Sequence, residues 1–387
     1  MHERAISPLE HQPSPFPSLT KRPAFTHASS LQIETRAQRT QLLGLSPELP
    51  GHKYAQKEVL ELLGYRGNRT AEAIFRNAGV SERYLVMGPE GFDLTTDVRY
   101  QDELFIHGTL MLAEGAVRGA LKAAGVAPEQ LGALVISSSS GFQMPSLSAR
   151  LVARMKLPTD MAKFDVAGAG CVGALPGMSL VDGYLATHPD KLAMMVCLDV
   201  GSQVLRKADP EDKEAMVANA LFSDAAVGMV FGRGLPLARM PELVDLHYVQ
   251  AYDTLDSAFV SKDGHGAWQA HLHKGMPERA AGIFLPGIET FLDKHQLARE
   301  DVRFWVFHPG GRAILDRLQS DLGLSDEQMA PSRQTLRQYG NASGPTCLLA
   351  LNQVVGSDEP QPGDWGLLGA IGPGLTVGLA LLRWPSA

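Results

Sequence analysis

The chain is poor in cysteine: Cys171, Cys197 and Cys347 are the only three among 387 residues. So sparse a set excludes a disulfide scaffold and suits a reducing compartment. No CxxC or HExxH spacing occurs, so a metal site has no sequence support. Long apolar runs are missing as well. The hydrophobic stretches are broken by Gly, Asp or Arg, which argues against a membrane span. The first residues lack the apolar core of a secretory signal, so a cytoplasmic location is expected. There is no excess of basic side chains either: 35 Lys and Arg stand against 42 Asp and Glu, a net charge of −7. That balance argues against nucleic acid as the main partner. What is present, 44% hydrophobic and 20% charged residues, suits a well-packed globular chain. Its length allows two domains or one large layered unit.

Residues 1–25 carry Pro8, Pro13, Pro15, Pro17 and Pro23 and read as a flexible leader with nothing to build a core. Beyond it, helical and strand patterns alternate. Residues 49–64 read as a loop and then an amphipathic helix, 70–77 as a second helix, and 113–124 as an Ala-rich helix ending at Gly125. Residues 131–139 (LGALVISSS) and 191–200 (KLAMMVCLDV) read as buried strands, the second placing Cys197 in the core. Residues 218–232 read as a loop leading into a strand. In the second half, 276–295 and 311–322 read as helices, 302–307 as a strand, 341–355 as a helix, and 365–382 as two strands joined by Gly372-Pro373-Gly374. The alternation predicts a layered α/β fold. Cys171 falls at a strand-to-helix junction in one half, and His308 and Asn341 at such junctions in the other. This predicts duplicated halves, residues 26–240 and 241–387, facing one site.

Cys171 follows Gly168, Ala169 and Gly170 and precedes an apolar helical face carrying Val172, Leu175, Leu180 and Leu185. A cysteine at a helix N-terminus meets unpaired N–H groups and the positive end of the dipole, which favour the thiolate. A small core residue at a strand–helix joint fits the same text. The local sequence leaves both readings open. His308, in FHPGG, alone reads as a structural histidine at a strand end, and Asn341, in YGNASG, alone as a turn or cap residue. Their joint context with Cys171 raises all three.

GC at 170–171, HPGG at 308–311, GNAS at 340–343 and GPGLTV at 372–377 together resemble the thiolase-fold condensing enzymes. Within them they resemble the type III polyketide synthases, the chalcone synthase-like family. The resemblance runs from about Leu49 to Arg383. It implies a thiolase-like fold of two pseudo-duplicated αβαβα halves. It also implies iterative decarboxylative condensation of malonyl-CoA onto an acyl-CoA starter, then cyclisation to a pyrone, resorcinol or related ring. By the same resemblance Cys171, His308 and Asn341 form the catalytic triad and Phe222 is the gatekeeper between tunnel and cavity. Met144 closes the partner's cavity across a homodimer interface, and Gly201, Val204, Gly264 and Ser343 line the elongation pocket.

The chemistry suits these residue types. A thiolate both attacks a thioester and leaves again, and an imidazolium at His308 would stabilise it. His308 Nε2–H and the Asn341 amide would donate to the enolate oxygen, so the resemblance implies no metal or redox cofactor beyond CoA thioesters. The sequence departs from the family at several points. Ala270 stands where a second gate phenylalanine is usual, with Trp268 two residues away. Ser223 and Ala225 replace glycines, and Gly378 replaces a glutamate expected to anchor the 372–374 loop. The basic cluster for CoA phosphates is thin, with Arg76 and Arg83 as its candidates, so delivery of substrate on an acyl carrier protein stays open. A ketoacyl synthase III-like enzyme making one condensation is the alternative. A degenerate, non-catalytic thiolase-fold partner would require a missing triad residue, and none is missing.

Overall fold

The computed structural model describes residues 39–385 apart from 94, 96, 208–210, 235–238 and 274. The Pro-rich leader lies outside the described residues. Nine strands form one mixed sheet: β1 (Thr40–Glu48), β2 (Leu131–Ser137), β3 (Ala162–Val166), β4 (Leu192–Val200), β5 (Asp224–Arg233), β6 (Glu242–Gln250), β7 (Val302–Phe307), β8 (Trp365–Gly372) and β9 (Thr376–Arg383). Their spatial order is β7-β8-β9-β6-β1-β5-β4-β2-β3. The strands that read as continuous apolar runs, β2 and β4, are buried along their whole length, as expected where helices cover both faces.

The pairing pattern occurs twice. In the first half β2 pairs parallel with β4, β4 antiparallel with β5, and β5 antiparallel with β1. In the second half β7, β8, β9 and β6 follow the same senses in the same chain order. The two sets meet at the antiparallel contact of β1 with β6. The expected division after residue 240 falls between β5 and β6.

The helices that position the site are α1 (Arg69–Asn77), α2 (Val98–Ala124), α3 (Ala174–Thr187), α4 (Lys213–Leu221), α5 (Arg312–Leu322) and α6 (Pro345–Val355). One core cluster gathers α3 and α6 side chains, such as Met178, Val181, Leu348 and Leu351, between strand residues of both halves, such as Val135, Met195, Val306 and Leu368. Separate clusters lie on the outer faces. One centres on α2 and the other on the helix Met276–Lys294 and α5. The layers therefore run helix, sheet, helix, sheet, helix. Among the described residues no helix is long and apolar enough to cross a membrane.

Several boundaries differ from the sequence reading for physical reasons. α2 starts fifteen residues before the Ala-rich stretch, where Asp97 caps it by accepting the Tyr100 N–H at 2.9 Å. Residues 218–221 belong to α4 rather than a loop, because Asp212 caps that helix. α6 begins at Pro345, not Asn341, since the Asn341 backbone pairs elsewhere and Ser343 takes a left-handed φ of 59°.

Candidate active site

Cys171 sits on a 3-10 turn, Gly170–Val172, between β3 and α3. The turn depends on Gly170, whose φ of 55° disfavours other residues and whose missing Cβ leaves room for Pro373. A Cβ there would lie 2.4 Å from the Pro373 ring. The Gly170 N–H donates to Ser139 Oγ at 2.6 Å, which ties the turn to the serine run after β2.

His308 follows the last residue of β7 and donates its N–H to Gly369 O of β8 at 2.7 Å. Its ring is buried, and both ring nitrogens lack a protein partner in this structure. Asn341 lies in the break between the helix Asp326–Tyr339 and α6. Its N–H donates to Leu221 O at 2.8 Å and its carbonyl accepts the Ser223 N–H at 3.0 Å, so its backbone is bridged to Phe222. The Asn341 Oδ1 accepts the Ser343 N–H at 2.8 Å, which directs Nδ2 toward Gly310 O, 3.2 Å away, next to His308.

Cys171, His308 and Asn341 line one cavity of about 800 Å³, with walls that are mostly apolar. Phe222, Gly201, Val204, Ser343 and Ala270 line it too. Gly201 is held to glycine, because a Cβ there would meet Ser223 O at 2.4 Å. Gly264 does not line the cavity: it lies in the Asp263–Gly266 turn of a hairpin formed by strands Ala258–Lys262 and Trp268–Leu272. Ala258 and Val260 face the cavity from that strand instead. Met144 lies outside it, 82% exposed on the loop that precedes the helix Leu147–Met155. Arg76 is exposed in the last turn of α1, beside Asn77 and Ala78 at the cavity mouth.

Two readings need correction. Arg83 does not reach a ligand phosphate, because its guanidinium is fully buried and bonded to carbonyls of the α4 end. Gly378 leaves no gap, since Val172 and Leu175 fill the space a side chain would need.

The electrostatics of the nucleophile also differ from expectation. α3 begins only at Ala174, and Cys171, partly exposed, lines the cavity. Burial pushes the Cys171 thiol up to about 12; Ser343 and Asn341, within hydrogen-bonding reach, pull against it, while the Asp199 charge adds to it. Burial likewise pushes the His308 imidazole down to about 3. Burial therefore disfavours both the thiolate and the imidazolium at this site.

Sequence reasoning missed the polar floor beside the cysteine. Asp199, near the end of β4, is buried and accepts the Ser139 N–H at 2.6 Å, Ser140 Oγ–H at 2.7 Å and the Gly344 N–H at 3.4 Å. Burial raises its carboxyl above the usual range, and these hydrogen bonds oppose the rise. The four-serine run was the available signal.

A model of the FAE1/type III polyketide synthase-like protein family matches residues 70–307, and one of chalcone and stilbene synthases, C-terminal domain, matches 266–384. The chain is 30% identical over 354 residues to a 1,3,6,8-tetrahydroxynaphthalene synthase of Streptomyces peucetius subsp. caesius, covering 89% of this chain and 93% of that one. It is 26% identical to a phloroglucinol synthase of Pseudomonas fluorescens, covering 87% and 96%. The crystal structure of PKS-I from the brown alga Ectocarpus siliculosus superposes with a TM-score of 0.83 at 25% identity, covering 91% of this chain and all of that one.

Proposed function

The chain belongs to the type III polyketide synthase family, and from that premise we propose how its cavity runs the reaction. The enzyme is an acyltransferase that condenses malonyl units onto a starter by decarboxylation, repeatedly, and closes the product into a ring. Cys171 takes the starter. Its proton passes to His308, the sulfur attacks the thioester carbonyl, and the proton leaves on the departing coenzyme A thiol. The malonyl thioester then loses carbon dioxide, and the electron pair of the broken C–C bond becomes an enolate. A His308 N–H and the free Asn341 Nδ2–H donate to the enolate oxygen, each worth ~3 kcal/mol of barrier. The carbanion attacks the acyl carbonyl, Cys171 is expelled as thiolate, and the longer chain, now a thioester of the malonyl unit's coenzyme A, passes back to the sulfur as that coenzyme A leaves.

One observation carries this reading. Three side chains from three separate segments converge on one apolar cavity, where the His308 nitrogens have no competing protein partner. The carriers are acyl-CoA and malonyl-CoA, for whose phosphates Arg312, which lines the cavity, and the exposed Arg76, next to the lining residue Asn77, are the candidate cations. No other cofactor takes part, because loss of carbon dioxide itself makes the carbanion. Phe222 gates the passage.

The protein works as a homodimer. Met144 and Phe142, 82% and 75% exposed, project from one loop, which Gln143 ties to Thr109 of α2 at 3.3 Å, near the half-exposed Met111. Apolar surface of that kind is what an isologous two-fold contact covers.

The test is product mass spectrometry with acyl-CoA starters and malonyl-CoA. Ring products carrying several malonyl-derived units are expected, and Cys171→Ala should abolish them while leaving the circular dichroism unchanged. Linear products of a single condensation would refute the iterative reading. Iodoacetamide that labels Cys197 or Cys347 and spares Cys171 would refute the nucleophile.

A further inference from the structure

Arg83 is the only Lys or Arg among the described residues with no exposed surface. It stands on the short strand Glu82–Leu85, away from the cavity wall. Its Nη1 donates to Asn219 O and Phe222 O, both at 2.8 Å, and its Nη2 to Ala220 O at 2.7 Å and to Gln56 Oε1. Gln56 in turn donates to Ala220 O at 2.9 Å and Phe75 O at 3.2 Å. The carbonyls that Arg83 holds belong to the end of α4, where a helix leaves its acceptors unpaired and its dipole negative. A guanidinium offers five donors in a fixed planar fork, against three around the single nitrogen of an ammonium.

The same short segment grips the proposed catalytic amide from its other side. Phe222 O is held by Arg83, while Leu221 O and the Ser223 N–H hold the Asn341 backbone. Asn341 lies in no helix or strand of its own, so this bridge, with its side-chain bonds to Ser343 and Gly310, fixes where the carboxamide points. Asp224, two residues past Phe222, anchors the far end by accepting the Val86 and Ser202 N–H groups, both at 2.6 Å.

We propose that Arg83 is a positioning residue for the condensation: its guanidinium sets the Leu221–Ser223 backbone and through it places both the Phe222 ring and the Asn341 carboxamide. The inference rests on the roles given to Phe222 and Asn341 above. A cation used only as a helix cap would change stability. A positioning cation changes turnover per intact site, because displacements near 1 Å cost up to ~10²-fold in rate.

Arg83→Lys keeps the charge and loses the fork. Its malonyl-CoA decarboxylation kcat, normalised to sites titrated with iodoacetamide, should fall about tenfold or more. KM for malonyl-CoA should hold, and the starter preference should shift through Phe222. Wild-type rates and starter preference per titrated site would overturn the inference. If that variant does not fold, Gln56→Leu decides. It leaves the guanidinium in place with one anchor fewer, and should lower the same kcat several-fold; an unchanged kcat overturns the proposal. Asn341→Ala run in parallel separates the two levels. Full decarboxylation in Asn341→Ala would sink the site reading and this inference with it. Loss there, with wild-type rates in both other variants, would sink this inference alone.

Discussion

Ala270 offers the sharpest test of which starter this enzyme takes. It lies on the Trp268–Leu272 strand opposite Val260, buried in the cavity wall. Trp268 would close the room beside it only by swinging in. The structure holds the residue in place: its backbone N–H donates to Gln101 Oε1 at 3.1 Å and Lys262 Nζ lies 4.7 Å above its ring. With the Gln203 amide turned to satisfy its neighbours, the indole N–H donates to that side chain at 3.2 Å. Trp268 is thus a fixed wall, and the space beside Ala270 stays open to substrate. A phenyl ring at 270 would displace about four chain methylenes, and at ~0.8 kcal/mol for each buried CH2 the loss is ~3 kcal/mol. Ala270→Phe should therefore lower kcat/KM for palmitoyl-CoA by about 10²-fold relative to acetyl-CoA, while Trp268→Ala changes the ratio little. The assay is steady-state kinetics over acetyl-, octanoyl- and palmitoyl-CoA, with products identified by mass spectrometry. A flat starter profile in Ala270→Phe, together with a broadened one in Trp268→Ala, would refute the argument.

Much of the frame is legible in the residues because burial leaves a simple mark. Residues 302–307, whose run VRFWVF is apolar but for one Arg, form β7 as expected. The Gly-Pro-Gly at 372–374 does join two strands, because Pro373 and the left-handed Gly374 turn the chain. The three candidate catalytic residues come together because each follows a strand or helix end, and such ends point at the same cavity. Register and tilt leave no such mark. Gly264 reads as a pocket residue, yet it falls in the turn of a hairpin whose strand residues Ala258, Phe259 and Val260 line the cavity instead. β6 escapes a linear reading because most of its residues are only partly buried, so no apolar run marks it. Arg83 misleads for a different reason. An arginine suits an anion in any linear reading, and only the hydrogen bonds from Arg83 to the end of α4 show carbonyls taking that place. The proton balance at Cys171 is equally hidden, since a helix start is visible in sequence and the burial that raises the thiol is not.

Two further outcomes follow from the same geometry. Met144→Glu should dissociate the proposed dimer by placing a charge in its contact, and sedimentation equilibrium reads this directly; a wild-type mass at micromolar concentration would remove the loop from the interface. The second concerns how Cys171 becomes a nucleophile. Burial pushes the thiol up and the imidazole down, and in the proposed mechanism the thiolate forms as its proton passes to His308. His308→Gln keeps a polar side chain of similar reach but cannot take the proton. Removing that proton acceptor leaves only Ser343 and Asn341 to oppose desolvation, so the thiol pKa should rise in the variant. The alkylation profile of Cys171 with iodoacetamide should therefore move to higher pH. Each pH unit it moves lowers the rate at neutral pH about tenfold, because the thiolate fraction falls by that factor. Cys197 and Cys347 are buried in the core and should stay unlabelled throughout, which makes the readout specific. An alkylation profile that does not move in His308→Gln would mean that something other than the imidazolium stabilises the thiolate. The α3 N-terminus and the Ser343 hydroxyl would then be the groups left to do it.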